Sequence, residues 1–114
     1  MSDLDAHIAA AKELLEGLEA RHGPISHRKM FGGAGLYAEG AIFALIVDGE
    51  LLLKADPQTA PSLAGAFAAA GAERWRYDGR NKPVAMPYWS LPGEALDDPE
   101  VACDWAARAI AAAR

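Results

Sequence analysis

A chain of 114 residues provides one domain with one core, and folding at this size removes roughly two-thirds of the unfolded surface from water. Its 52% apolar and 24% charged residues exclude a disordered chain, and no run approaches the ~20 apolar residues of a membrane span. The net charge of −5, with acids where a secretory signal would be basic and a single cysteine, Cys103, excludes tight nonspecific nucleic-acid binding, an export signal and an internal disulfide, and it leads us to expect a cytoplasmic protein.

The charge is unevenly placed. Residues 1–20 carry −4 (Lys12 against Asp3, Asp5, Glu13, Glu16 and Glu19), residues 83–114 carry −3, and the centre is therefore +2. Ser2 and Asp5 form a capping-box pattern, and Leu4, Ile8, Ala11, Leu15 and Leu18 recur at helical spacing, which predicts a first helix from Asp3 to Arg21 ended by Gly23-Pro24.

From Lys29 to Lys54 glycine-bearing turns separate short apolar runs, the pattern of an antiparallel meander. Strands are expected at Ile25 to Phe31, Gly35 to Ala38, Ala41 to Val47 and Glu50 to Lys54. Glu39-Gly40 and Asp48-Gly49 suit two-residue hairpin turns, whose central residues need positive φ. AIFALIV is apolar on both faces, with Ile42, Ala44 and Ile46 pointing one way and Phe43, Leu45 and Val47 the other, so it should be central and covered on most of both sides.

Asp56-Pro57 ends the sheet run. Thr59 is the expected cap of a second helix, with Pro61 in its first turn, a stripe of Leu63, Ala66, Phe67 and Ala70, and Gly71 just past its end. Arg74 to Tyr77 and Val84 to Leu91 read as two more strands around the polar loop Asp78-Gly79-Arg80-Asn81. Pro87 cannot donate to a ladder, so its strand should be an edge or bulged there, which can push Tyr88 or Trp89 onto the surface. Asp98-Pro99 caps a last helix that buries Val101, Ala102, Trp105, Ala106, Ala109, Ile110 and Ala113.

Few residues carry chemistry. Gly33-Ala34-Gly35-Leu36-Tyr37-Ala38 matches G-x-G-x-x-A, but a strand follows where a dinucleotide site needs a helix. His7, His22 and His27 lack metal-ligand spacing, no serine or cysteine sits in a nucleophile pattern, and Asp97, Asp98 and Glu100 are explained by helix capping, so neither a catalytic residue, a metal nor a cofactor is expected. Arg74, Arg76, Arg80 and Lys82 interleave with Trp75 and Tyr77, which could grip phosphates and stack bases. Strand alternation separates cations from aromatics and favours a solvated basic face over an aromatic core. Arg28 and Lys29 form a second basic cluster, on the first strand, which would equally guard a sheet edge.

Taken in order, KMFGGAGLY (residues 29–37), Phe43-Ala44-Leu45-Ile46, Asp48-Gly49, Leu52-Leu53-Lys54-Ala55-Asp56, Ala70-Gly71, Met86-Pro87-Tyr88-Trp89-Ser90-Leu91-Pro92, Leu96-Asp97-Asp98 and Trp105-Ala106 resemble the TfoX amino-terminal domain family. The resemblance spans essentially the whole chain as one domain, 1–114. It implies a two-layer α+β fold, in the order helix, three or four strands, helix, two strands, helix, similar to that of secretion chaperones. The residues give the same order independently. It further implies transcriptional co-regulation of the kind seen in bacterial competence, with a cyclic-AMP receptor protein at promoters, and no catalytic residues. Competence regulators of the family carry a second, carboxy-terminal domain, and with the chain ending at Arg114 a stand-alone version is expected.

The functional expectation is thus a non-enzymatic regulatory or adaptor domain acting by protein contact. Weak DNA contact would run through Arg28, Lys29, Arg74, Arg76, Arg80 and Lys82. The alternative is a chaperone-like interaction module that forms a homodimer through a sheet edge or the Tyr88-Trp89 region. A small enzyme has the least support, and no membrane partner is expected.

Overall fold

The computed structural model describes residues 2–30, 32–78 and 83–114. The chain runs α1 (Asp3–Leu14), a 3-10 turn (Glu16–Leu18), α2 (Glu19–His22), β1 (Ser26–Met30), β2 (Gly33–Ala38), β3 (Ala41–Val47), β4 (Glu50–Lys54), α3 (Pro61–Ala69), β5 (Arg74–Asp78), β6 (Pro83–Ser90), a 3-10 turn (Gly93–Ala95) and α4 (Pro99–Ala113). The fold is α+β, with one six-stranded antiparallel sheet in the order β1-β2-β3-β4-β6-β5. The expected end of the first strand at Phe31 and most of the loop before β6, residues 79–82, lie outside the described residues.

Local chemistry explains most boundaries. Ser2 caps α1 in a reciprocal capping box with Asp5, and Asp98 caps α4 by accepting from the Glu100 and Val101 amides, with Pro99 at N1. Both hairpin turns take the left-handed backbone their sequences require, with φ of 53° and 81° at Glu39-Gly40 and of 50° and 79° at Asp48-Gly49.

The first helix is shorter than its periodicity predicts. Leu18 N donates to Leu15 O rather than to Leu14 O, tightening the chain into the 3-10 turn, while the Cys103 thiol, from α4, donates to Leu14 O at 3.6 Å. α4 packs directly on this turn, where a Cβ on Gly17 would reach ordinary van der Waals contact with Cys103 Sγ at 3.4 Å. At the second helix, Thr59 is not the cap. Asp56 accepts from Gln58 N and closes a turn ahead of Ala60, the residue at the N-cap position, whose side chain has nothing to cap with. The buried stripe of α3 is Leu63, Ala64 and Phe67, Ala66 being half-buried and Ala70 exposed.

Two bulges set which side chains meet. Leu36 pairs with Ala44 but Tyr37 with Ile42, so Phe43 is an extra residue in β3. It turns to the same side as Ala44 and Ile46 and is fully buried there, while Ile42 joins Leu45 and Val47 on the other side, half-buried. The expected alternation through AIFALIV is therefore wrong at Phe43 and Ile42. In β6, Arg74 faces Trp89 and Arg76 faces Ala85, which leaves Met86, Pro87 and Tyr88 opposite Trp75 alone. The bulge expected at Pro87 is present, and β6 is an interior strand over Tyr88–Ser90, where it pairs with β4.

One core holds the layers together. Ile8, Ala11, Leu15 and Leu18 of the amino-terminal helical segment, Leu63, Ala64 and Phe67 of α3, and Ala102, Trp105, Ala106, Ala109 and Ile110 of α4 cover Ala34, Leu36, Phe43, Ala44, Ile46, Leu53 and Trp89 of the sheet. Phe67 lies between two tryptophans, with ring centroids 6.1 Å from Trp89 and 4.6 Å from Trp105. α1 and α3 both pack on α4, which places the helices in a single layer on one face of the sheet.

Candidate interaction face of the sheet

Among the described residues no helix lies on the opposite face. Its residues follow from the register. Arg28 pairs with Gly35, Gly35 with Leu45, Leu45 with Leu52 and Leu52 with Ser90, so these form one row across five strands. On one side of that row lie Met30, Val47 and Glu50, and on the other Tyr37, Ile42, Lys54 and Tyr88. None of the half-buried apolar members, Met30, Tyr37, Ile42, Leu45 and Val47, packs against the helix-side core.

Side chains on this face shelter one another. A Cβ on Gly35 would meet Ile42 Cδ1 at 2.8 Å, Met30 Cε at 3.0 Å and Tyr37 Cε1 at 3.3 Å, so three apolar side chains close over that glycine. The Arg28 guanidinium sits 5.7 Å from the Tyr37 ring centre, a cation–π contact that leans it along the face. Leu52 and Tyr88 are only 2% and 7% exposed, and burial, with the Tyr37 phenol nearby, pushes the Tyr88 phenol up.

The face continues onto β5. Trp75 and Tyr77 touch edge to face at 6.3 Å, and Tyr77 and Val84 pair across the strands and are 56% and 47% exposed. The expectation of an aromatic core beneath these basic residues is corrected here. Both rings lie outside the buried cluster, because the Arg74–Trp89 pair puts Arg74, not Trp75, on the helix side.

Of the basic residues singled out in the sequence, the four that are described do not converge. Arg28 and Lys29 are on β1 and Arg74 and Arg76 on β5, the two edges of the sheet, five inter-strand spacings or about 24 Å apart. Lys29 Nζ is 2.6 Å from Asp5 Oδ1, an exposed pair that holds the Asp5 carboxyl below the usual carboxylate range. Arg74 Nε donates to Met86 O at 2.9 Å and satisfies a carbonyl that the bulge turns out of the ladder. Arg76 is exposed, and Arg80 and Lys82 lie outside the described residues.

Pro87 pushes neither aromatic out. Tyr88 is on the helix-free face, whereas Trp89, 8% exposed, is in the core with its indole N–H donating to Ala55 O at 2.9 Å.

A titratable cluster missed in the sequence ties together the end of α2, the β2–β3 turn and the carboxy-terminal end of α4. His22 Nδ1 hydrogen-bonds Glu39 Oε2 at 2.5 Å, and Arg114 Nε lies 3.3 Å from Glu39 Oε1. The His22 contact, with a smaller contribution from Arg114, holds the Glu39 carboxyl below its ordinary value. The imidazole is 11% exposed, and its buried Nε2 has no hydrogen-bond partner among the described residues. No local spacing announces this cluster, since its members are 17 and 75 positions apart. Glu50 and Lys54 were also missed, although the period-two pattern of β4 already places both on the side opposite Leu51 and Leu53.

Among the described residues no group of three or more His, Cys, Asp or Glu could hold a metal ion, and no helix is long and apolar enough to cross a membrane. No curated protein matches the sequence. A family model described as the TfoX N-terminal domain matches residues 16–113.

Proposed function

Since the chain belongs to the TfoX N-terminal domain family, a regulatory family associated with competence, we propose that it is a non-enzymatic regulatory or adaptor domain that works by protein contact in the cytoplasm, as a transcriptional co-regulator. The observation that carries the contact reading is the half-buried apolar face that no described helix covers, with Ile42, Leu45 and Val47 in its middle strand. Pull-down with the full chain from the source cells, read by mass spectrometry, tests it. Recovery of promoter-bound regulators, such as a cyclic-AMP receptor protein, is the expected result, and recovery of metabolic enzymes alone would count against it.

DNA contact is the weaker part of the proposal. Among the described residues Arg28 with Lys29 and Arg74 with Arg76 sit on separate edges, so a duplex lying on one edge meets two of them, and the expected salt slope is shallow, about −2. Fluorescence anisotropy from low to physiological salt measures it. A protein that binds no duplex at the low end, or whose slope is unchanged in both an Arg28→Ala, Lys29→Ala variant and an Arg76→Ala, Arg80→Ala variant, excludes DNA contact. A second reading, a chaperone-like module that pairs with itself, is favoured by the placement of Glu50 and Lys54 on the helix-free face.

A further inference from the structure

We propose that the helix-free face is the contact between two copies of this chain, packed sheet to sheet about a two-fold axis that runs along the Arg28–Gly35–Leu45–Leu52–Ser90 row. The inference rests on the protein-contact reading and adds to it the occupant and the geometry.

The case begins with a polarity problem. Five apolar side chains, Met30, Tyr37, Ile42, Leu45 and Val47, lie half-buried on a face that no described helix covers, and β4, next to the middle strand, carries one acid and one base, Glu50 and Lys54, two positions on either side of Leu52. A partner of uniform charge would satisfy one of them and oppose the other. A second copy satisfies both.

When two sheets face each other across an axis along the Leu52 row, each strand lies over its own symmetry mate and the flanking rows exchange. Glu50 of one copy then comes over Lys54 of the other, and the reverse pair forms by symmetry. Leu45 and Leu52 meet their own mates on the axis, and Val47 comes over Ile42. The strands of the two copies run within a small angle of antiparallel, the aligned geometry in which sheets stack.

Among the described residues the like-charge pair this creates, Arg28 with its mate, is already deflected. Arg28 lies on the axis at the β1 edge, but its guanidinium leans over Tyr37, so the two arginines diverge to opposite sides of the axis. Tyr77 and Val84 extend past the Tyr88 row and stay outside the contact.

The expected affinity is modest. From β1 to β6 the patch spans four inter-strand spacings, about 19 Å, and roughly five residues or 16 Å along the strands. Two such patches bury on the order of 600 Å² in projection, which belongs to weak, reversible interfaces. Dimer should therefore grow in between about 10 μM and 1 mM.

Sedimentation equilibrium over that range, on the full chain and on Glu50→Lys, Lys54→Glu and the double exchange, tests the proposal. Circular dichroism confirms that each variant is folded. The expected result is a wild-type dimer, a dissociation constant raised about tenfold or more in each single variant because two symmetry-related pairs become repulsive, and recovery in the double exchange. A wild-type protein that stays monomeric at 1 mM overturns it, whatever then covers the face. A dimer indifferent to both single reversals, or one not recovered by the double exchange, overturns it as well, since the contact is then elsewhere. Any of these outcomes leaves the pull-down result with other proteins standing on its own.

Discussion

Trp89→Phe removes one N–H and part of one ring, and the N–H is the larger loss. Ala55 N donates to Pro87 O at 3.0 Å, so the two residues face each other across β4 and β6, but proline has no N–H with which to return the bond. The carbonyl of Ala55, a residue 1% exposed, is served instead by the Trp89 indole at 2.9 Å. Leaving a buried carbonyl unpaired costs about 1–3 kcal/mol. The smaller ring adds about 1 kcal/mol for the space left beside Phe67. The sum is about 2–4 kcal/mol. With an unfolding entropy of roughly 2.1 cal/mol/K per residue, a chain of 114 residues loses about 4 °C of Tm per kcal/mol, so a fall of about 8–16 °C is expected. The reasoning has a second arm. Pro87→Ala supplies a backbone N–H opposite the Ala55 carbonyl, so the two substitutions together should cost at least about 1 kcal/mol less than their separate costs added. Urea denaturation of the four proteins in the cycle measures this. A Trp89→Phe cost below about 1 kcal/mol, together with additive behaviour, would refute the account.

Glu39→Gln should lower stability at neutral pH, and the difference from wild type should disappear on acidification. The folded carboxyl sits below its ordinary value of 4.5, so its contribution is present above that value and is lost as pH falls through the folded pKa; thermal melts at pH 7 and pH 3 read it. Gly40→Ala should destabilise by about 1–2 kcal/mol although nothing crowds a Cβ there, because its φ is 81°. Gly65→Ala, on an open exposed face of α3, should stabilise by about 0.5–1 kcal/mol, and chemical denaturation separates the two signs. Burial pushes the Cys103 thiol up, so alkylation by iodoacetamide at pH 7.5 should be slower in the native protein than in 6 M guanidinium, as measured by mass spectrometry.

The meander was legible because its signals are local. Ala41–Val47 and Glu50–Lys54 begin and end where their turn residues dictate, and Asp98 and Ser2 cap the helices they precede. What failed depended on distant residues. The periodicity of the first helix continues through Leu18, yet the thiol of a residue 89 positions away takes the Leu14 carbonyl. Alternation along β3 is correct as a rule and fails at Phe43, since a bulge is a property of a strand pair. The basic clusters look adjacent to one surface in sequence terms, but β6 inserts between β4 and β5 and sends Arg76 to the far edge. For the helix-free face, the apolar parity of β3 and β4 was readable. That the helices would leave one face open was not, because AIFALIV suits a strand covered on both sides equally well.

The β1–β4 meander and the β5–β6 hairpin meet across β4 and β6 through Leu52 with Ser90, Leu53 with Trp89 and Lys54 with Tyr88, a short seam that the Ala55 N–H to Pro87 O bond extends by one residue. Strands β1 to β4 form a run of neighbours linked by tight turns, whereas β6 reaches β4 only after α3 and β5 have been laid down. Short-range pairings close first on kinetic grounds. The four-strand run should therefore be an early unit and the seam the last to zip. The same seam should open first in the native protein, and amide exchange would record it as faster loss of protection along β5 and β6 than along β3. Such opening draws the Trp89 indole away from Phe67, so the seam and the aromatic centre of the core come apart together.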